Sequence, residues 1–275
     1  MSAHRIDVGG LALAVSDCGV GPPLVVLHGF TGSRESMIPV IEQLREDCRV
    51  IAVDLVGHGA SDRPDTLDPY RMASVVDQLD LLLDRLQLRA AAWLGYSMGG
   101  RAALAFAVAH PERVERLVLI GASAGIEDPR ARAERVAADE ALAERIERDG
   151  MEVFVDRWMA LPLFASQARL GPEALAAARS QRLENDPHAL ARSLRGMGSG
   201  AQKPLQGELD GLSVPVCLVV GEEDAKFDAI ARDLAARLAD ARVERVAEAG
   251  HAAHLENPSA FGHIARAFLR QEGRV

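Results

Sequence analysis

Residues 95–99, which read Gly-Tyr-Ser-Met-Gly, constrain the fold of this chain more than any other stretch. They join an apolar run at 89–93, typical of a strand, to residues 102–109, whose small and apolar side chains are typical of a helix. A strand that passes directly into a helix turns very tightly, and side chains two positions before and after the central residue would collide. The pattern therefore predicts a strained turn at Ser97 that lifts the serine hydroxyl clear of a sheet.

A Gly-x-Ser-x-Gly turn between a strand and a helix is typical of a nucleophile elbow, where a reactive serine lies beside backbone amides. The pattern occurs again at 121–125, around Ser123, but Asp128 and Pro129 follow it and prevent an immediate helix. We therefore take Ser97 as the candidate reactive residue. The alternative is that Ser97 has only a structural role in the turn.

Strand patterns alternate with helical patterns along most of the chain, which predicts an α/β fold with a mostly parallel sheet and right-handed crossovers. Residues 5–15, around Gly9 and Gly10, have the pattern of an opening hairpin. Six further strands, which bring the sheet to eight, are predicted at 24–27, 50–53, 89–93, 114–120, 214–220 and 242–246. Outside the insertion described next, helices are predicted at 36–44, 75–86, 102–109, 229–238 and 258–269.

The alternation stops after Gly125, at the end of the sixth predicted strand. Residues 127–200 show helical periodicity and no convincing strand, so we interpret them as a helical insertion packed over the sheet. The predicted division is a core formed by residues 1–125 and 201–275 and a helical cap at 126–200.

Composition excludes several classes of protein. The chain has 275 residues, of which 48% are hydrophobic, enough for one large core, and its net charge of −9 argues against nucleic acid as a partner. No signal-peptide pattern and no apolar run near ~20 residues is present, so we expect no membrane insertion and a cytoplasmic location. Cys18, Cys48 and Cys217 are odd in number and scattered, which fits reduced thiols and no metal site. We expect no cofactor, and the oligomeric state is not readable from the sequence.

A reactive serine needs a base, and the base needs an orienting acid. In doubly wound sheets, working residues lie on loops after the carboxyl ends of strands. Asp224 follows the strand predicted at 214–220, and His251 follows the one at 242–246. The chain order Ser97, Asp224, His251 matches that of α/β hydrolases.

Other residues could take these places. His254 is an alternative base, and Glu222 or Glu223 could orient the histidine. His28 and His58 also follow strands, but we expect them to make structural hydrogen bonds in turns.

An oxyanion hole needs two backbone N–H groups, for which we predict Met98, after the serine, and Phe30, after the strand at 24–27. Arg101 lies in the first turn of a helix, where the macrodipole disfavours a cation. Because it is one helical turn from Ser97, it can share the face of the serine and indicates an anionic substrate. The alternative is an ordinary solvated arginine.

Several segments of the chain match a known family: 28–32, 95–101, 133–135, Trp158 with 162–164, 193–200, 221–227 and 249–251 with His254. Over nearly its whole length the chain resembles the α/β hydrolases and, within them, the 2-succinyl-6-hydroxy-2,4-cyclohexadiene-1-carboxylate synthases of menaquinone biosynthesis. The more specific matches are Arg101, the Pro-Leu-Phe stretch at 162–164 and the Leu-Arg-Gly-Met-Gly stretch within 193–200.

The resemblance implies a carbon–oxygen lyase that removes pyruvate from an enolpyruvyl cyclohexene, with Ser97 as the base. It implies that Arg101 and Arg135 bind carboxylates of a polycarboxylate substrate, that Trp158 lines the pocket and that Tyr96 lies beside the serine. Arg179 matches a further family arginine. The alternatives are a hydrolase with the same three residues, acting on an ester or a carbon–carbon bond, and a non-catalytic module that binds small molecules.

Overall fold

The computed structural model describes residues 2–270 and contains one eight-stranded sheet. The strands are β1 Ser2–Asp7, β2 Ala12–Cys18, β3 Pro23–Leu27, β4 Arg49–Val53, β5 Ala91–Tyr96, β6 Val114–Ile120, β7 Val216–Gly221 and β8 Ala241–Val246. Their order across the sheet is β1-β2-β4-β3-β5-β6-β7-β8. β1 and β2 form the predicted hairpin, and β2 pairs antiparallel with β4. All other pairings are parallel. The predicted α/β class, the strand number and the mostly parallel order are confirmed.

Helices cover both faces of the sheet because the strand side chains alternate between the faces. The helices outside the insertion are α1 Ile38–Leu44, α2 Met72–Arg85, α3 Met98–Ala109, α7 Ala225–Arg237, α8 Ala253–Glu256 and α9 Pro258–Leu269. Val25 and Leu27 of β3 pack with α2, α3 and α7, whereas Leu24 and Val26 pack with α1 and α9 on the other face. Among residues 2–270, no helix has both the length and the apolar character needed to cross a lipid bilayer.

The insertion between β6 and β7 is helical, as its periodicity predicts. It contains α4 Pro129–Met159, a 3₁₀ segment Pro162–Leu170, α5 Gly171–Leu183 and α6 Pro187–Met197, which we call the inserted helices. They have their own apolar cluster, against which Phe30 of the core packs. α4 is kinked at Gly150, whose φ of 77° and ψ of 176° are not helical.

Two boundaries near Ser97 differ from the predicted ones. β5 continues to Tyr96, and α3 begins at Met98, four residues before the helix predicted at 102–109. The sequence pattern does not predict this first turn of α3, because it contains Gly99 and Gly100 and glycine has a low helix propensity. The parallel strands β3, β5, β6, β7 and β8 all end at one edge of the sheet, where the loops that carry the candidate residues meet.

Candidate active site

Ser97 sits in the strained turn that its flanking glycines predict. Its φ of 50° and ψ of −107° are unusual for a residue with a side chain, and its N–H donates to the Ile120 carbonyl of β6 at 2.8 Å. A Cβ at Gly95 would collide with the backbone of Gly99, and a Cβ at Gly99 would collide with the backbone of His28. The glycines therefore allow β5, α3 and the loop after β3 to meet around the serine.

Ser97, His251 and Asp224 form a hydrogen-bonded chain. His251 Nε2 lies 3.2 Å from Ser97 Oγ, and His251 Nδ1 lies 2.9 Å from Asp224 Oδ2. His251 is 3% exposed and Asp224 is 8% exposed, so little water competes for these bonds. In this geometry Asp224 accepts from Nδ1–H, which leaves Nε2 free to take a proton from the serine.

Asp224 is fixed by the start of α7. Its Oδ1 accepts from the backbone N–H of Phe227 at 3.1 Å as the helix N-cap, which leaves Oδ2 for His251. The alternative acids lie elsewhere: Glu223 pairs with Arg169, and Glu222 is exposed. The structure therefore brings Asp224, and neither glutamate, to the histidine.

The other histidines near strand ends are buried in structural positions. His28 Nε2 accepts from the Leu55 N–H at 3.0 Å, and His58 Nδ1 donates to the Val56 carbonyl at 3.1 Å. His254 packs on the ring of Tyr96, with centroids 4.5 Å apart. Neither of its ring nitrogens has a protein hydrogen-bond partner among the described residues. Burial lowers the pKa of His28 to about 4 and those of His58 and His254 to about 3, so all three are neutral at pH 7.

Phe30 and Met98, the residues predicted to supply oxyanion-hole amides, border the same cavity as Ser97. Met98 is the first residue of α3, so its N–H has no carbonyl partner within the helix. Phe30 lies on the loop that follows β3. The loop after β3 and the turn at Ser97 thus both border the cavity, and the two amides remain our prediction for the oxyanion hole.

The cavity above Ser97 has a volume of about 620 Å³ and lies between the sheet edge and the inserted helices. Several aromatic side chains form part of its wall. Trp158 of α4 packs edge-on against Phe30, with centroids 5.3 Å apart, and also contacts Phe164. Tyr96 borders the cavity beside the serine, as predicted, and burial raises the pKa of its phenol. Trp158 and Tyr96 therefore lie where the resemblance implies.

Arg101 and Arg135 both border the cavity, which is otherwise mostly apolar. Arg101 Nη1 donates to Gln202 Oε1 at 2.8 Å, and burial lowers the pKa of this guanidinium to about 10, so it is charged at neutral pH. Arg135 Nε bonds Asp139 Oδ1 at 2.7 Å. Burial raises the pKa of Asp139, while Arg135 acts in the opposite direction. The result is a positively charged end of the cavity that suits an anion.

Arg179 requires a correction, because the structure does not bring it to the cavity. Its Nε bonds Asp156 Oδ1 at 2.7 Å on the outer surface of the inserted helices. Arg182, three residues later on α5, does not border the cavity either: its Nη1 donates to the Ala178 carbonyl at 2.8 Å, and its buried Nε has no protein partner among the described residues.

Two further polar residues near the site were not predicted. Lys226 borders the cavity two positions after Asp224, and the strand-end rule that found Asp224 could have found it. Gln202, the partner of Arg101, follows the inserted helices and has no local sequence signal.

Comparisons with known proteins agree with this architecture. Residues 22–258 match the family model described as alpha/beta hydrolase fold. A Bacillus subtilis (strain 168) protein assigned to 2-succinyl-6-hydroxy-2,4-cyclohexadiene-1-carboxylate synthase is 42% identical over 262 residues, which cover 94% of this chain and 95% of the relative. The enzyme of that name from Salmonella paratyphi C is 37% identical over 86% of this chain and 90% of its own length.

Solved structures give the same result. MenH from S. aureus superposes with a TM-score of 0.88 at 32% identity, over 94% of this chain and 97% of its own. An enol-lactonase from Burkholderia xenovorans LB400 superposes with a TM-score of 0.85 at 26% identity, over 98% of this chain and all of its own. The chain therefore belongs to the α/β hydrolase fold family and, within it, to the 2-succinyl-6-hydroxy-2,4-cyclohexadiene-1-carboxylate synthases.

Proposed function

We propose that this chain is a carbon–oxygen lyase of menaquinone biosynthesis. It converts 2-succinyl-5-enolpyruvyl-6-hydroxy-3-cyclohexene-1-carboxylate into 2-succinyl-6-hydroxy-2,4-cyclohexadiene-1-carboxylate and pyruvate. The observation that carries the proposal is the 42% identity to the Bacillus subtilis relative over 94% of this chain. The serine, histidine and aspartate below an arginine-lined cavity support it, because they match both the chemistry and the charge of this substrate.

The chemistry follows from the structures of substrate and product. The ring C2–H bond lies next to the ketone of the succinyl group, which makes that proton removable. The electron pair of the C2–H bond becomes the C2–C3 double bond, and the pair of the former C3–C4 double bond moves to C4–C5 as the C5–O bond breaks. The C5–O electron pair leaves with the enolpyruvate, which takes up a proton and becomes pyruvate. Atoms and electrons balance without an oxidant or a cofactor.

We assign the removal of this proton to Ser97 Oγ. His251 takes the serine proton through Nε2, 3.2 Å away, and Asp224 stabilises the resulting imidazolium through Nδ1 at 2.9 Å. No acyl group is transferred in the reaction, so the serine is required only as a base. The backbone amides of Phe30 and Met98 would stabilise the negative charge that develops on the ketone oxygen.

The charged end of the cavity provides for the carboxylates of the substrate. Arg101 and Arg135 each present a planar guanidinium that binds a carboxylate through two hydrogen bonds. The aromatic wall with Trp158 would cover the ring and exclude water from the developing charge.

A small-molecule anion is therefore the proposed partner, and a reducing compartment such as the cytoplasm is the proposed location. The free thiols of Cys18, Cys48 and Cys217 support the second point. The helical cap at 126–200 remains the proposed cover of the site.

The test is product analysis with purified protein. The chain is incubated with the enolpyruvyl substrate, pyruvate is measured with lactate dehydrogenase and NADH, and the diene is identified by mass spectrometry. We expect equal amounts of pyruvate and diene, and none with Ser97→Ala beyond the spontaneous rate. Turnover of esters or lactones without pyruvate release would instead support a hydrolase, and substrate binding without turnover would support a binding module.

A further inference from the structure

Glu256 holds the backbone on both sides of His251. Its side chain is only 2% exposed. Oε2 accepts from the Gly250 N–H at 2.9 Å, and Oε1 accepts from the Ala252 N–H at 3.1 Å. Each carboxylate oxygen thus accepts from the N–H of one of the two residues that flank the histidine.

This contact arises from the turn that follows His251. The chain enters the short helix α8, and the Glu256 N–H donates back to the Ala252 carbonyl at 3.0 Å. This turn places the Glu256 side chain against the loop that contains His251. Hydrogen bonds from N–H groups to a carboxylate are about twice as strong as those to a neutral acceptor, so this loop is held firmly.

The inserted helices reach the same loop through their 3₁₀ segment. Arg169 Nη2 donates to the Glu248 carbonyl at 3.1 Å and lies 3.7 Å from Glu256 Oε2, while Nη1 pairs with Glu223 at 2.9 Å. Ser166 of the same segment lies so close to Gly250 that a Cβ on residue 250 would collide with the Ser166 hydroxyl. Glu256 therefore lies between the histidine loop and the segment that covers the cavity.

We propose that Glu256 is a positioning residue for His251: it fixes the N–H groups of Gly250 and Ala252, the residues before and after the histidine, so that both ring nitrogens keep their partners. The ring must meet Ser97 through Nε2 and Asp224 through Nδ1 at the same time. A small rotation of the backbone at His251 breaks one of these bonds, and a misplacement of about 1 Å in a catalytic arrangement lowers rates by up to ~100-fold. The inference rests on the roles proposed above for these three residues.

The first test replaces Glu256 by glutamine, which keeps the shape of the side chain. Glutamine turns one oxygen into an NH₂ group, so one flanking amide loses its acceptor and faces a donor. We expect kcat to fall about tenfold or more with KM within about twofold, since the residue does not border the cavity. The rate at which a fluorophosphonate labels Ser97 is expected to fall by the same factor, because labelling also needs His251 as base.

Glu223→Gln is the matched control. Glu223 also pairs with Arg169, but it is 47% exposed and accepts from neither amide that flanks His251. We expect this variant to keep both kcat and the labelling rate within about twofold of the parent. Equal losses in the two variants would assign the effect to the Arg169 contacts and overturn the role of Glu256.

Arg169→Gln is a second variant that does not threaten folding, because the Arg169 side chain is 49% exposed. We expect a two- to threefold loss in the labelling rate from this variant, and no additional loss when it is combined with Glu256→Gln. Thermal unfolding of every variant shows whether a loss comes from a misfolded chain.

Parent-like kcat and labelling in folded Glu256→Gln, or a change in KM alone, would refute the inference. The labelling rate is independent of the natural substrate. A parent chain that reacts with the fluorophosphonate but releases no pyruvate would refute the proposed lyase reaction and leave the test of Glu256 intact.

Discussion

Arg101 carries a positive charge in a place where little in the protein balances it. No carboxylate lies within ion-pair distance of its guanidinium in the part of the chain that the structure describes, and its hydrogen-bond partner Gln202 is neutral. Burial lowers its pKa to about 10, because desolvation disfavours the charged guanidinium. A substrate carboxylate would supply the missing partner, so this residue should favour binding at the expense of stability.

Replacing Arg101 by methionine tests this trade-off. We expect the free energy of unfolding to equal that of the parent or to exceed it by up to about 1–2 kcal/mol. The reason is that a desolvated charge is removed while the volume of the side chain is nearly kept. We expect kcat/KM to fall about 100-fold or more, since a charged hydrogen-bond partner is lost from the substrate. Urea unfolding and steady-state kinetics measure the two effects. A variant that is both much less stable and fully active would contradict the assignment.

Arg101→Lys separates charge from geometry. Lysine keeps the positive charge but cannot bind a carboxylate through two parallel N–H groups, so we expect at least a tenfold loss in kcat/KM. The matched control is Arg179→Lys, whose arginine pairs with Asp156 on the outer surface, and for which we expect parent-like kinetics. Full activity of the Arg101→Lys enzyme would mean that charge alone suffices.

Arg135→Ala should act mainly on binding. Its guanidinium borders the cavity, and the loss of one charged hydrogen bond weakens substrate binding by about 1.5–3 kcal/mol, seen as a rise in KM. Arg179→Ala provides the comparison from the same group of helices. An Arg135→Ala enzyme with the KM of the parent would remove this residue from the substrate site.

The loop after β6 leaves the space that the imidazole ring of His251 occupies. Gly121 has a φ of +54°, and a Cβ there would lie 2.8 Å from His251 Cε1. Gly125 in the same loop has a φ of +91°, but its Cβ would meet nothing closer than 3.4 Å. A residue with a side chain would therefore be strained at both positions, but only at Gly121 would its Cβ also collide with the histidine.

The comparison of Gly121→Ala with Gly125→Ala uses this difference. We expect each to lose about 1–2 kcal/mol of stability because alanine is strained at positive φ. Only Gly121→Ala should also lose most of its kcat, since its methyl group displaces the imidazole. Thermal unfolding and kinetics of both variants measure this. Equal activities would show that His251 tolerates the contact.

Elements are also the scale at which sequence reasoning succeeded best. The strand-end rule selected Asp224 and His251 from several acids and histidines, and the structure places both within hydrogen-bond distance along one chain to Ser97. The rule works because parallel strands place all their following loops at one edge. It says nothing about a helical insertion, where the packing of the helices determines which side chains reach the cavity and leaves Arg179 at the surface. Glu256 was also not predictable, because its role depends on a turn that returns it to the histidine loop.

For the whole molecule, buried neutral histidines set a limit on stability in acid. Folding holds the pKa of His28 near 4 and those of His58 and His254 near 3, below the value of about 6.5 in an unfolded chain. Below pH 6.5 the unfolded chain therefore binds protons that the folded chain does not, and stability falls as pH decreases towards 4. Each histidine contributes up to about 1.4 kcal/mol per pH unit in this range.

His254→Leu tests this origin of acid sensitivity. His254 is fully buried, and the described residues offer no hydrogen-bond partner to its ring, so leucine removes a titrating group without breaking a protein hydrogen bond. We expect the difference in the free energy of unfolding between pH 7 and pH 5 to shrink by about 1–2 kcal/mol. Urea unfolding at the two pH values gives this difference. An unchanged difference would show that His254 does not titrate on unfolding in this range.

We propose that the chain uses a hydrolase-type set of residues for an elimination, with Ser97 as a base. Rapid-quench mass spectrometry of the enzyme during turnover, with ordinary substrate and with substrate deuterated at C2, tests this role of the serine. We predict that no substrate-derived mass appears on Ser97 at any time, that pyruvate is released, and that deuterium slows the single-turnover rate. An adduct on Ser97 that forms and decays at the rate of turnover would show that the serine is a nucleophile and not a base.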